Sequence, residues 1–400
     1  MRSVAKHLII LLHVSLFSLQ LIGQAILPSF TMESAAVKVL TPYVQKEVRW
    51  AMKQQPVTVT ASTSIRSSGG KHDFFSEGDY WWPNPMSADS PYLQKDGMTN
   101  PDNFTDHRKA MVRFSRVMGA LASAYLTSKN ERYADHAFKH ARAWFIDTAT
   151  LMNPHLLYAQ AIKGRFTGRG IGIIDMIQMI EVAQALKVLE KSKSAKPAEF
   201  IQFRAWFERY LYWVTHHKYG IDEMNALNNH GTCWTLQVAA FARFTQNDSL
   251  LDVCRQRYKA VHLPGQMAMD GSFPKELART KPYGYSLFNL DAMAMLCQIL
   301  SDKQSNVWDV ALEDKRSIQK GISFLYPFVA DKNKWTFKQD LMYWEQWPVA
   351  HPFLIFGALA LNDQNLFGTW KSLEHAPTEE EVIRNLPIRN PLIWFSENQF

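Results

Sequence analysis

The amino-acid sequence predicts an all-α fold: an α/α toroid (an incomplete α/α barrel) of paired antiparallel helices with long irregular loops. Three observations predict it. From Asp106 onward, apolar residues recur at helical spacing in one stretch after another. Short polar turns such as Thr127-Ser128-Lys129-Asn130 and Gln246-Asn247-Asp248 join neighbouring stretches, which sets them antiparallel. Strand signals are few, and no clean internal repeat marks a short-period array.

Taken in order, residues 1–25 have the pattern of a secretory signal. Arg2 and Lys6 form a basic start, Leu8 to Ile22 is mainly apolar, and Gly23-Gln24-Ala25 is a small-x-small cleavage site. His13, Ser15, Ser18 and Gln20 interrupt the apolar run, which argues against a retained membrane helix. The expectation is an exported chain, periplasmic or secreted and free of the membrane after cleavage, with residues 26–400 as one domain. Thr31 to Gln55 has helical spacing and stops at Pro56. An irregular segment, residues 56–105, follows: Val57 to Gly70 alternates and then turns polar, while His72 to Asn103 is rich in Pro, Asp, Asn and Gly yet holds Tyr80-Trp81-Trp82. Loops that carry aromatic residues without periodicity are commonly binding loops.

Helices are then expected over His107 to Leu126, Tyr133 to Phe145, Ile173 to Leu189, Pro197 to about His216, Gly231 to Phe244 and Leu250 to Val261. Ser286 to Leu300, Asp314 to Tyr326, Pro352 to Leu361 and Glu379 to Asn385 complete the set. Between them lie a Gly/Arg loop from Gly164 to Gly172, a polar loop from Tyr219 to Asn225 and an irregular loop from Pro264 to Tyr285.

A hydrophobic fraction of 47% is ample for a sizeable core, and 13 Trp, 14 Tyr and 24 Phe supply both packing and flat faces on which sugar rings lie. Removal of residues 1–25 takes away two basic and no acidic groups, which brings the formal net charge from +7 to +5. That mild excess suits an anionic substrate, and without a long Lys/Arg run it gives no basis for nucleic-acid binding. Cys233, Cys254 and Cys297 stand in apolar helical contexts and lack metal-ligand spacing. They read as buried thiols, with a Cys233–Cys254 or Cys254–Cys297 bridge left open. His216 and His217 are adjacent on a helix and face different sides, so no catalytic metal is expected.

Chemistry concentrates around Asn228-Asn229-His230-Gly231-Thr232-Cys233-Trp234, at the mouth of an apolar helical run. An amide beside an imidazole supplies donors that hold a carboxylate and lower the cost of charge building on it. The structural alternative is that Asn228 and Asn229 cap the helix. Downstream, Arg279 supplies a cation and Tyr283 and Tyr285 supply phenols.

Further motifs extend this constellation: Asp79-Tyr80-Trp81-Trp82-Pro83-Asn84-Pro85, His107-Arg108, and Tyr158-Ala159-Gln160 ahead of Gly168-Arg169-Gly170-Ile171-Gly172. On these residues, the stretch from about Asp79 to Leu300 resembles the alginate lyase superfamily of bacterial polysaccharide lyases, and within it the family 38 polysaccharide lyases. The resemblance implies an α/α toroid that cleaves a 1,4-linked polyuronate, alginate (polymannuronate) or glucuronan, by β-elimination without a cofactor. It also implies that Asn229 and His230 neutralise the uronate carboxylate. Tyr285, or Tyr283 two residues earlier, then takes the C5 proton and protonates the leaving oxygen, with Arg279 beside it. A phenol ionises near pH 10, so a base role near neutrality asks for such a cation.

Several candidate substrate contacts have a structural alternative. Trp81 and Trp82 form a sugar platform or pin the N-terminal loop, with Asn84 a candidate contact beside them. His107 and Arg108 bind a carboxylate or cap a helix. Tyr158 and Gln160 line the cleft or pack helices, and Arg169 and Trp234 are further candidate contacts within the quoted motifs. Tyr283 is the second phenol, and Glu345, among aromatic residues in Tyr343-Trp344-Glu345-Gln346-Trp347-Pro348, is structural or touches substrate. Two other classes compete. A glycoside hydrolase on the same fold needs two carboxylates flanking the bond, and Asp79, Asp106 and Glu345 make no convincing pair. A non-catalytic helical glycan-binding protein needs no acid/base at all.

Overall fold

The computed structural model describes residues 29–87 and 90–395. The expected signal segment, residues 1–25, lies outside the described residues. Helix α1 (Ser29–Ala51) is followed by an irregular segment with three short strands, β1 (Phe75–Glu77), β2 (Trp81–Trp82) and β3 (Leu93–Gln94). Helices α2 (Asp106–Ser128) and α3 (Glu131–Phe145) precede β4 (Tyr158–Ala161), and then come α4 (Met179–Leu189), α5 (Pro197–His216), α6 (Lys218–Met224) and α7 (Asn229–Thr245). The remainder holds α8 (Asp248–Arg257), the short α9 (Leu263–Gln266) and α10 (Pro274–Leu277), and α11 (Pro282–Leu300). Helices α12 (Ile318–Ala330), α13 (Pro352–Leu361), α14 (Gln364–Ser372), α15 (Glu380–Arg384) and α16 (Leu392–Phe395) end the described chain.

The packing is that of an α/α toroid. Helices α2, α4, α7, α11 and α13 touch in succession, and α1 closes the ring by packing on both α13 and α2. An outer layer lies against them: α3 on α2, α5 and α8 on α7, α12 on α11, and α14 on α13. The inner helices bury nearly their whole length, because neighbours or loops cover every side. Aromatic rings fill the space between layers, as where Phe145 meets Trp206 and Phe207 and where Phe114 stacks on Trp144. Parallel pairing of β1 with β4 ties the irregular segment to the chain after α3, and antiparallel pairing of β2 with β3 gives a second small sheet within the segment.

Several boundaries differ from the sequence expectation, each for a local reason. Helix α11 begins at Pro282 rather than Ser286, so Tyr283 and Tyr285 lie in its first turn and not in a loop. Pro282 suits the first helical position, where no N–H is needed, and the carboxylate of Asp340 accepts from the N–H groups of Tyr283 and Gly284 at 2.8 Å each. The polar stretch read as a loop from Tyr219 to Asn225 is α6, whose first turn is capped by the side chain of His217. Tyr158 and Gln160 lie on β4, not on a helix, and Gly170–Gln178 is a 3₁₀ segment that delays the start of α4. Cys233, Cys254 and Cys297 are buried and unpaired, which sets aside both bridges left open.

Candidate active site

Two helix starts define the site. Helix α11 is buried from Pro282 to Leu300 with one exception, the half-buried Tyr285. In α7, His230 is the one residue before Arg243 that is not buried. Gly231 fixes the approach of α7 to its preceding loop, since a Cβ there would stand 2.1 Å from the carbonyl oxygen of Ala226.

Carboxylates from outside α7 hold the Asn229-His230 pair. Glu276 accepts from Asn229 twice, from its backbone N–H and from Nδ2, each at 2.7 Å. Asn229 is therefore buried and committed, with one amide hydrogen left over. Asn228 occupies the N-cap position but makes no side-chain cap bond, so helix capping does not account for this tripeptide. Burial pushes the Glu276 carboxyl above the usual carboxylate range, although Asn229 and the charges of Arg279 and His230 oppose it. The Nδ1 atom of His230 lies 2.7 Å from Oε1 of Glu223. With Nδ1–H donating to Glu223, Nε2 presents a lone pair when the ring is neutral and an N–H when it is protonated.

The phenol half is built across a long sequence separation. Tyr285 Oη lies 2.6 Å from Tyr80 Oη. The guanidinium of Arg279 sits 4.5 Å from the centre of the Tyr285 ring and pairs with Asp96 at 3.0 Å. Asp96 also accepts from the hydroxyl of Thr280, which ties the Tyr80 segment to the start of α11. Lys281 Nζ bonds Glu381 at 2.6 Å and lies 5.1 Å from the Tyr80 ring. Burial pushes the Tyr285 phenol well above its ordinary value, and Arg279 opposes this without reversing it. Arg279 does pull this phenol down, as its place beside the ring implies, but desolvation is the larger effect and the net direction is upward.

The remaining candidates separate into those near this cleft and those in the framework. Gln160 adopts a left-handed φ of 49°, and its carbonyl accepts from Arg169 Nε at 2.9 Å. Burial holds the Arg169 guanidinium below its ordinary value, against the opposing charges of Asp79, Asp175 and Glu223. Trp81 is half-buried, with the guanidinium groups of Arg165 and Arg169 at 5.3 and 5.9 Å from its ring. Trp82 donates to the carbonyl of Met98 and carries Lys95 over its ring at 4.7 Å.

Most others make framework contacts. His107 accepts the Phe75 N–H at Nδ1 and bonds the Ser62 carbonyl through Nε2, so both nitrogens are spent pinning the irregular segment to α2. Arg108 is buried between Asp79 and Asp175, so its charge is already compensated and it presents no free fork to a sugar acid. Trp234 is core, donating to the Val214 carbonyl. Tyr283 is fully buried, its hydroxyl on the Phe328 carbonyl and its ring against Trp335 and Trp344. Of the two phenols left open, Tyr285 is therefore the accessible one. Asn84 turns its Oδ1 onto the Met86 N–H, Tyr158 packs over Gly69 and near His155, and Glu345 is exposed on a surface turn.

Sequence reasoning gave no role to Glu223, Glu276, Asp96, Lys281 or Glu381. Lys281 was within reach, standing between Arg279 and Tyr283; the four carboxylates come from other loops and helices and carry no local signal. A cavity of 770 Å³ between α1, α2 and residues 375–392 reaches Asp79, Tyr343 and Glu381 but neither His230 nor Tyr285. The chemistry is placed by side-chain geometry and not by cavity size.

Fold and site together define an α/α-toroid protein in which Glu276, bound by Asn229 and facing the charges of His230 and Arg279, links the carboxylate-held imidazole to the Arg279 that covers the Tyr285 ring. The chain belongs to the alginate lyase family, whose profile matches residues 58–335. It is similar to the crystal structure of an alginate lyase from Bacteroides ovatus, at 30% identity and a TM-score of 0.79 over 91% of this chain and 97% of the other. Alginate lyase A1-III from Sphingomonas species A1 shares the fold at 13% identity, with a TM-score of 0.53 over 82% of this chain and 89% of that one. No curated protein matches the sequence significantly.

Proposed function

We propose that this chain is a polysaccharide lyase that cleaves a 1,4-linked polyuronate, alginate or glucuronan, by β-elimination, in the manner of the family 38 lyases. The observation that carries the reading is the Tyr285–Tyr80 phenol pair, exposed at the one open position of α11 and flanked by cations. Similarity to an alginate lyase over nearly the full length of both chains supports it. In this reading the uronate carboxylate lies against the Nε2–H that His230 presents in its protonated form and the remaining Nδ2 hydrogen of Asn229, so charge that builds on it meets fixed donors. Tyr285, as phenolate, takes the C5 proton. The C5–H electron pair becomes the C4–C5 double bond, the C4–O4 bond breaks, and O4 receives a proton from the phenol pair. Arg279 supports the phenolate. Trp81 and Arg169 offer a stacking face and a cation to a neighbouring uronate. Export through residues 1–25, to the periplasm or beyond, belongs to the same reading, since the polymer lies outside the cytoplasm.

The test is ultraviolet absorbance during incubation with polymannuronate, polyguluronate and glucuronan separately. A growing conjugated-alkene signal on one polymer is the expected result and names the substrate. New reducing ends without the alkene move the assignment to a hydrolase, and no cleavage at all moves it to a binding protein.

A further inference from the structure

Lys281 is a buried cation of the cleft that the scheme above leaves without a task. It directly precedes α11, and its ammonium is 2.6 Å from Glu381, with both side chains 5% exposed. Three phenol rings surround it: Tyr80, Tyr343 and Tyr285, with centres 5.1, 5.3 and 5.4 Å from Nζ. Two of these are the hydrogen-bonded pair. A buried ion pair is a weak device for stability, because taking both charges out of water offsets most of their attraction. An ammonium at this distance does act strongly on how readily a phenol gives up its proton.

The charges facing the pair come from several elements. From the segment leading into α11 come Arg279, compensated by Asp96, and Lys281. From α15 come Glu381 and Arg384, with Arg384 held by Asp79 at 3.0 Å and by Glu381 at 3.2 Å. Asp340 caps α11, and Glu276, on α10, is bound by Asn229. Arg279 therefore stands beside Tyr285, and Lys281 beside Tyr80.

We propose that Lys281 is a positioning residue for the proton chemistry: held by Glu381, its ammonium sets how readily the Tyr80–Tyr285 pair, as one unit, releases a proton to solvent. The inference rests on the reading of Tyr285 as the acid/base. Glu381 has a counteracting role, since its negative charge tempers the ammonium. The two residues must then act with opposite sign on the same phenol.

The experiment places 3,5-difluorotyrosine, whose phenol ionises well below that of tyrosine, at position 285 of the full chain and follows its fluorine resonance against pH. Lys281→Met should raise the midpoint by about 1 pH unit or more. Glu381→Gln, which leaves the ammonium uncompensated, should lower it, and Lys281→Arg should leave it near its starting value. If Lys281→Met does not fold, the other two variants carry the test. Midpoints that stay fixed, or that move the same way in Lys281→Met and Glu381→Gln, overturn the proposal, because a merely structural pair gives no reason for opposite signs. In the natural side-chain background, the rising limb of kcat/KM against pH should move with the fluorine midpoint while KM changes little. Opposed fluorine shifts in a protein that eliminates no uronate polymer uphold the Lys281 assignment and sink the lyase reading instead.

Discussion

Tyr285 and His230 are the accessible residues at two otherwise buried helix starts, so side-chain deletions there read chemistry more than folding. Tyr285→Phe keeps the ring and removes only the hydroxyl; turnover should vanish while the melting temperature measured by circular dichroism stays near that of the parent. Near-normal alkene production by this variant would remove Tyr285 from the acid/base role. His230→Ala and Arg279→Ala should each lose on the order of 10²-fold in kcat, the usual cost of one preorganised charge-stabilising group. Burial holds the Tyr285 phenol protonated beyond its ordinary value, so its phenolate is the minor form at neutral pH. Below that raised pKa the phenolate fraction grows about tenfold per pH unit. The expected kcat/KM therefore climbs into the alkaline range, and a flat profile between neutral and alkaline pH excludes a phenolate base.

Among the elements, α11 matters most, because its first turn carries the phenol proposed as acid/base and its cap comes from elsewhere. Asp340 accepts from two of the N–H groups that a helix start leaves unpaired. Asp340→Ala should cost about 1–2 kcal/mol, as for loss of other helix caps, and should lower activity by loosening the turn that holds Tyr285. Burial raises the Asp340 carboxyl to about 6 from its ordinary 3.8. A carboxyl raised in the fold binds its proton more tightly there than in the unfolded chain. Its contribution to stability is thus fullest below the unfolded value and declines as pH rises through about 6. The difference in unfolding free energy between the parent and Asp340→Ala, measured by denaturant from pH 4 to pH 7, should shrink as pH rises. A difference that grows with pH contradicts this assignment.

Across the whole molecule, a buried charge network ties the irregular segment to the toroid. Arg108 on α2 bridges Asp79 and Asp175, and Arg384 on α15 reaches the other oxygen of Asp79. Asp79 immediately precedes Tyr80, so this network sets where the second phenol stands. Removing one member leaves an uncompensated buried charge, and Arg108→Met should destabilise the protein by about 3–5 kcal/mol. If Arg108 instead bound substrate directly, the same variant would raise KM with little change in melting temperature.

The succession of helices, the small-turn connections and most helix bodies were legible in the sequence because they depend on local periodicity and short-range turn chemistry. Pro197 to His216 is an example, with Pro at the first position and apolar residues at helical spacing. Asn229, His230, Arg279 and Tyr285 were legible as residue types that suit carboxylate binding and proton transfer. What the tertiary structure decided was which of them are free to act. Tyr283 and Tyr285 are alike as sequence; one is walled in by Trp335 and Trp344 and the other reaches Tyr80. His107 and Arg108 resemble a sugar-acid site until Phe75, Asp79 and Asp175 are seen to consume their hydrogen-bonding groups. Glu223, Glu276 and Glu381 gain meaning only through partners on other elements. The sequence by itself thus determined the fold class and the chemical types assembled, because periodicity and side-chain chemistry are local. The tertiary structure alone determined accessibility, partners and ionisation, because burial and electrostatics depend on neighbours brought together across the chain.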